Sequence, residues 1–341
     1  MSEPTAILVL TGQTASGKER LALAVARRLG SVPARRDCAG EIVSADSMKV
    51  YRGMDVGTAK ASPEDRRAVP HHLVDVAEVS PGPNPDKIGT GGAGAPGFST
   101  ARWVELADAA VADIAARGHV PIISGGTMLY LKALLEGLFE GPAADEELRA
   151  RLSAEAEAQG TAALHARLAQ VDPDAAGRIH PNDLRRIIRA LEVWELAGAP
   201  ISALQTQWGA RRGRYRPLLV AVRRSPEDLD RRIAERVRRM VEAGLEDEVR
   251  RLSARPGGMA LGPRQALGYA EMLEHLAGRL SCEEAVEEIV LHTRQFARAQ
   301  MKWLKRLEGL VWLDAAPDTS TDALAEQVVA LWRAHVGSTA G

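Results

Sequence analysis

The stretch GQTASGKE at residues 12–19 follows the apolar run AILVL and comes within one residue of the pattern G-x-x-x-x-G-K-[ST], with Glu19 where a hydroxyl is usual. In such a loop successive backbone N–H groups point inward, glycine permits the tight path and the lysine adds a mobile positive charge. With a helix starting directly after it, the loop suits a di- or triphosphate. The diphosphate-binding set is therefore Gly12, Gln13, Thr14, Ala15, Ser16, Gly17, Lys18 and Glu19. Glu19 leaves three readings open. Its carboxylate is a hard oxygen ligand for Mg²⁺, or it points away while other groups hold the metal, or it cripples catalysis by placing negative charge beside a negative substrate. The first two are preferred. His71 and His72 in PHHLVD have metal-ligand side chains, but no second cluster has matching spacing, so they read as structural or hydrogen-bonding residues.

These residues need a scaffold, and the sequence outlines one. Residues 6–10 read as a buried strand, and KERLALAVARRLG after the glycine turn has a helical period. A second strand-like run, EIVSADS, puts Asp46 at a strand's end. A third, VPIISGGT, follows the helical STARWVELADAAVADIAARG, for which Ser99 or Thr100 is the expected N-cap. Alternating strands and helices predict an α/β fold with a P-loop NTPase-like core, its mostly parallel sheet covered by helices and its sites at the strands' carboxyl ends. Residues 142–213 turn to helical segments rich in Ala, Glu and Arg, and LLVAV then resumes the strand pattern. This predicts a core in two parts, 1–141 and 214–341, around a helical insertion domain at 142–213. Further helical stretches are expected at 226–252 and 283–307, with GLVWL as a late strand. The Gly/Pro-rich stretch 81–97 is expected to be a mobile loop.

A formal net charge of -1 with 26% charged residues gives no global field for a nucleic acid, so any basic surface must be local. One candidate is TRQFARAQMKWLKR, where Arg294, Arg298, Lys302 and Lys305 or Arg306 recur three to four residues apart along one helix face. No acid interrupts that segment, and Phe296, Met301 and Leu304 would pack on its other faces. Alone, such a stripe is as readily a solvated face. The two cysteines, Cys38 and Cys282, form no metal or redox spacing, which fits a reducing compartment. AILVL is too short for a signal-peptide core or a membrane span, so a cytoplasmic protein is expected.

Eight blocks in order, GQTASGKE, SADSMKVYRGMDVGTAK, PHHLVD, GGTMLYLKALLEGL, DPDAAGRIHPND, RALEVWELAG, GPRQALGYAEM and TRQFARAQMKWLKR, resemble the bacterial tRNA dimethylallyltransferases, also called tRNA isopentenyltransferases, over nearly the full length. The departures are Gln13, where the family usually has Pro, Glu19, where it has Ser or Thr, and longer stretches at 31–40 and 81–97. The resemblance implies transfer of a dimethylallyl group from dimethylallyl diphosphate to the exocyclic N6 of the adenosine just 3′ of the anticodon, with Mg²⁺ as cofactor. The phosphate loop would then hold a leaving diphosphate, and ATP need not be the substrate.

The resemblance also implies roles for single residues. Arg236 would be a second cation on the diphosphate, and Thr127 would orient the substrate or line the reaction channel. Asp46 would be the general base, with a Mg²⁺ ligand or a helix cap as its alternatives. tRNA contacts would come from Asp46, Ser47, Met48 and Lys49, from Arg185, Arg186, Ile187, Ile188 and Arg189, from Gly268 and Tyr269, and from Arg294 and Arg298. Beside this match the basic stripe becomes a phosphate track for an anticodon stem-loop. Trp194 and Trp303 read as core residues rather than stacking platforms. The target base would be flipped out of its loop stack. A monomer without membrane contact is expected. Two rivals remain: a P-loop small-molecule kinase, and a tRNA-binding relative disabled by Glu19.

Overall fold

The apolar run after Thr5 becomes the middle of a parallel sheet. The structure, a computed structural model, describes residues 3–29, 39–80, 98–137, 141–142, 144–205 and 213–337. The stretches 31–38 and 81–97, with Cys38 and the expected loop, lie outside the described residues. In chain order the elements are β1 (Thr5–Gly12), α1 (Lys18–Leu29), β2 (Gly40–Ser44), α2 (Pro63–Ala68), β3 (His71–His72), α3 (Thr100–Ala116), β4 (Val120–Ser124) and α4 (Met128–Glu136). There follow α5 (Glu146–Gln159), α6 (Thr161–Val171), α7 (Pro173–Arg178), α8 (Leu184–Ala197), α9 (Ile201–Leu204), β5 (Tyr215–Arg223), α10 (Pro226–Glu242) and α11 (Leu245–Ser253). The chain closes with α12 (Leu261–Arg264), α13 (Tyr269–Leu276), α14 (Cys282–Leu304), β6 (Val311–Asp314) and α15 (Thr321–Gly337).

Two compact units form. One comprises Met1–Pro81, Glu105–Leu131 and Gly213–Gly341, the other Gly82–Val104 and Lys132–Arg212. The first holds the sheet, six strands among the described residues in the order β3-β2-β4-β1-β5-β6. All its pairs are parallel, with Leu8 opposite both Ile122 on β4 and Leu218 on β5. Strands buried on both faces need continuous apolar runs, and β1 and β4 supply them with ILVL and VPII. On one face Leu21, Val25, Leu324, Val328 and Trp332, from α1 and α15, pack against Leu8, Ile122 and Val220. Because every strand points the same way, the turns after β1, β2, β4 and β5 leave from one edge, where such sheets carry their chemistry.

The second unit is helical. Leu152, Leu164, Leu168, Ile187, Leu191, Val193 and Ile201 form its core. Ser99 is the side chain that caps α3, accepting the Arg102 N–H at 3.1 Å. The stretch 226–252 is two helices rather than one. It breaks at Ala243 and Gly244, where Gly244 takes φ +91°, a conformation that favours glycine. Among the described residues no helix is long and apolar enough to cross a membrane.

Candidate active site

β1 delivers the chain to Gly12 at φ +147°, and a Cβ there would sit 2.8 Å from the Ser16 Oγ, so a larger residue would collide within the loop itself. Ala15 at φ +61° and Gly17 at φ +97° give the loop its left-handed turns. For alanine this conformation costs on the order of 1 kcal/mol, so outside bonds must hold it. Three arginines do so. Arg224 Nε donates to the Ser16 carbonyl at 2.7 Å, Arg232 Nε to the Ala15 carbonyl at 2.9 Å, and Arg236 Nη1 to the Thr14 hydroxyl at 3.2 Å. Arg224 is itself fixed by Asp228 at 3.0 Å. The Thr14 N–H is taken by Gln300 Oε1 at 2.7 Å and the Ser16 N–H by the Gln13 carbonyl at 3.2 Å, so an anion is left to the other N–H groups of the loop.

Lys18 opens α1, almost fully buried, with Nζ 3.4 Å from the Gln13 carbonyl. Burial, with Arg236 and Lys49 nearby, pulls its pKa below the ordinary lysine value, while Glu19 and Asp46 resist that shift. The Glu19 carboxylate lies 2.6 Å from Lys49 Nζ. Burial works against its ionisation, but Lys49, Lys18 and Arg236 outweigh it and bring its pKa down to about 2. The pair is therefore complete above the ordinary glutamate value of 4.5 and is lost only as pH falls through about 2. Ala15, Lys18, Glu19, Lys60 and Arg236 line a cavity of about 540 Å³.

The turns that carry Asp46 and Thr127 are bonded to each other at the ends of β2 and β4, through Ala45 and Ser47. Asp46 Oδ1 accepts the Met48 N–H at 2.8 Å and the Lys49 N–H at 3.3 Å, which fixes the carboxylate, and both bonds fall on that one oxygen. Thr127 Oγ1 accepts the Ser47 N–H at 3.0 Å, and the Thr127 N–H donates to the Ala45 carbonyl at 3.1 Å. Gly125 is required because a Cβ there would lie 2.1 Å from the Ala45 carbonyl oxygen.

Such a loop with its lysine serves many phosphate chemistries, and similarity to known proteins separates them. The family model described as IPP transferase matches residues 49–307, well over half of the chain. The chain belongs to the IPP transferase family. A relative from Anaeromyxobacter dehalogenans, named tRNA dimethylallyltransferase, is 48% identical over 322 residues, covering 94% of this chain and 98% of that one. The crystal structure of the full-length tRNA isopentenylpyrophosphate transferase of Bacillus halodurans aligns at TM-score 0.66 with 32% identity, over 98% of this chain and 97% of that one. A eukaryotic dimethylallyltransferase, described as acting on tRNA, aligns at TM-score 0.73 with 26% identity, over 95% and 77%.

Several of the side chains expected to contact RNA are turned inward. Ile187 and Ile188 are buried in the helical core, because they share the apolar face of α8 with Leu191. Arg189 pairs with the fully buried Glu192 at 2.5 Å and with the Pro142 carbonyl at 3.1 Å, while Arg149 completes the same carboxylate at 2.7 Å. Arg185 and Arg186 do stand exposed. Lys49 is buried against Glu19. The Gly268 N–H is held by Glu271 at 2.8 Å.

Tyr269 is fully buried, and its hydroxyl donates to Glu248 at 2.6 Å. Burial and the Glu248 charge push its pKa far above the ordinary tyrosine value. Glu248 also accepts the N–H groups of Asp55, Val56 and Gly57 at 3.0, 2.8 and 3.1 Å. Asp55 and Val56 line the cavity, so this carboxylate fixes part of its wall. Glu248→Ala would orphan these donors, and we expect a loss of about 3–5 kcal/mol in urea unfolding. A loss below about 1 kcal/mol would mean that water replaces the carboxylate.

On α14 the inner face is Thr293, Ala297, Gln300 and Leu304, while Arg298, Lys302, Lys305 and Arg306 are exposed and Arg294 lies 3.5 Å from Asp230. Phe296 and Trp303, expected to pack inside, are each 44% exposed. Arg306 lies over the Trp303 ring at 5.5 Å, so the indole is an outer surface of the helix. Trp194 is half-buried. His71 and His72 are held by the Val69 carbonyl and Glu41, each at 2.7 Å.

Proposed function

We propose that this chain is a tRNA dimethylallyltransferase. It moves the dimethylallyl group of dimethylallyl diphosphate to N6 of the adenosine 3′ of the anticodon and releases diphosphate. The observation that carries this reading is the cavity at the phosphate loop, where Lys18 and Arg236 supply two cations from different elements. The loop N–H groups, Lys18 and Arg236 bind the diphosphate and stabilise its growing negative charge as the carbon–oxygen bond breaks. The N6 amino group is a poor nucleophile because its lone pair is conjugated with the ring, so a base that takes its proton during attack helps. Asp46, oriented through Oδ1, accepts that proton on Oδ2. Thr127 holds the Ser47 turn that carries the base.

The donors present suit Mg²⁺. Ser16 Oγ is buried without a hydrogen-bond partner, and Glu19, three residues further along and paired with Lys49, is an ionised hard oxygen ligand. Ser16 and Glu19 would hold the ion, which would neutralise diphosphate charge. In the sheet-bearing unit the exposed Arg298 and Lys302, with Trp303, suit the backbone and bases of an anticodon stem-loop, and in the helical unit the exposed Arg185 and Arg186 suit an RNA backbone. The helical unit is read as a clamp on that RNA. Glu19→Thr, which restores the hydroxyl, is expected to change the single-turnover rate by less than about tenfold, roughly 1.4 kcal/mol in barrier. A far larger gain would mean that the native carboxylate is inhibitory.

The test is incubation of the purified protein with Mg²⁺, dimethylallyl diphosphate and unmodified anticodon stem-loop RNA, followed by nucleoside mass spectrometry. A dimethylallyl mass gain on the adenosine beside the anticodon is the expected result. RNA binding without that gain would identify a disabled binder, and ATP turnover without RNA would identify a kinase.

A further inference from the structure

We propose that Gln300 is a positioning residue that sets the spacing between the diphosphate loop and the Gly125–Thr127 turn, and that it keeps the Thr14 amide out of the anion site. Gln300 lies on the inner face of α14 and is 4% exposed. Its Oε1 accepts the Thr14 N–H at 2.7 Å, and its Nε2 donates to the Gly126 carbonyl at 3.0 Å. One amide thus joins two turns that leave different strands. A buried amide is costly unless both ends are bonded, and an apolar side chain of the same volume would fill the space more cheaply, so packing alone gives no reason for glutamine here.

Its two partners are placed to matter. Thr14 is gripped from both sides, its N–H by Gln300 and its Oγ1 by Arg236. Gly126 is followed by Thr127, whose hydroxyl holds the Ser47 N–H one residue after Asp46. A continuous line of bonds therefore runs from the phosphate loop through Gln300 to the turn that bears the proposed base. Gly126 leaves no slack in this line, since a Cβ there would lie 2.5 Å from the Gln300 Nε2. Gln13 ties the same loop to the same helix, with Nε2 2.9 Å from the Ala297 carbonyl. An error of about 1 Å between reacting groups can cost about a hundredfold in rate, which is the scale on which such a spacer acts.

The inference rests on the transfer reading for its kinetic consequence, whereas the bond to Thr14 can be tested without any transfer. Gln300→Met fills the volume and makes neither bond. Its single-turnover rate at saturating substrates is expected to fall at least about thirtyfold, while stem-loop affinity stays within about threefold. Gln300→Glu keeps the acceptor for Thr14 but faces an oxygen with an oxygen at Gly126, and it is expected to be as slow.

In the wild-type protein the Thr14 amide is expected to be protected from hydrogen exchange before inorganic diphosphate is added and to change little afterwards. In Gln300→Met it should exchange freely until diphosphate is added. A Gln300→Met rate within about threefold of wild type, or a wild-type Thr14 amide protected only by diphosphate, overturns the proposal. If the variants do not fold, the wild-type exchange result decides it. If the wild-type protein transfers nothing, the transfer reading fails while the exchange arm still judges Gln300.

Discussion

Lys18→Met is expected to slow dimethylallyl transfer by about a thousandfold or more in single turnover, about 4 kcal/mol, with stem-loop affinity nearly unchanged. The size follows from where the charge sits. An ammonium that is 6% exposed acts through little solvent, so its field on a developing diphosphate is far stronger than that of a surface lysine. Burial draws its pKa down, yet the adjacent Glu19 opposes that shift and helps to keep it charged. Methionine keeps the stem and its packing but removes the charge. The assay is a rapid-quench measurement with enzyme in excess over RNA. A loss smaller than about tenfold would move the main electrostatic contribution to Arg236 and the loop amides.

The second large effect belongs to Asp46. Asp46→Ala and Asp46→Asn are both expected to lower the single-turnover rate at least about a hundredfold while RNA binding persists. The pair of variants separates two roles. Asparagine retains an oxygen for the Met48 and Lys49 N–H groups, so the turn after β2 keeps its form, and only the capacity to take a proton is lost. If Asp46→Asn transfers normally while Asp46→Ala does not, Asp46 is a cap and the base lies elsewhere.

The parts that the sequence exposes are those governed by local rules. The strand, glycine turn and helix of residues 5–29 follow from an apolar run, two glycines and a 3.6-residue period. A block that matches a family says which segment touches a partner, not which side chains point outward, and the side chains of Ile187, Ile188 and Tyr269 are buried. The spacing of Leu184, Ile187, Ile188 and Leu191 already described a buried stripe. Trp303 was misread because large aromatic side chains are usually covered. The buried positions 293, 297, 300 and 304 leave residue 303 off that stripe. Arg224, Arg232 and Gln300 left no local signal. Each bonds to the phosphate loop across more than two hundred residues, and only the folded chain brings them there.

The two faces of α14 have a mechanical consequence. A hydrogen-bonded helix of 23 residues is stiff, so a push on its outer side is transmitted to the inner one rather than absorbed. The outer side carries Arg298, Lys302 and Trp303, and the inner side carries the bonds from Ala297 and Gln300 to the phosphate loop. On the proposed reading, RNA held by the outer residues would bear on the phosphate loop through this one helix, with no flexible segment between them.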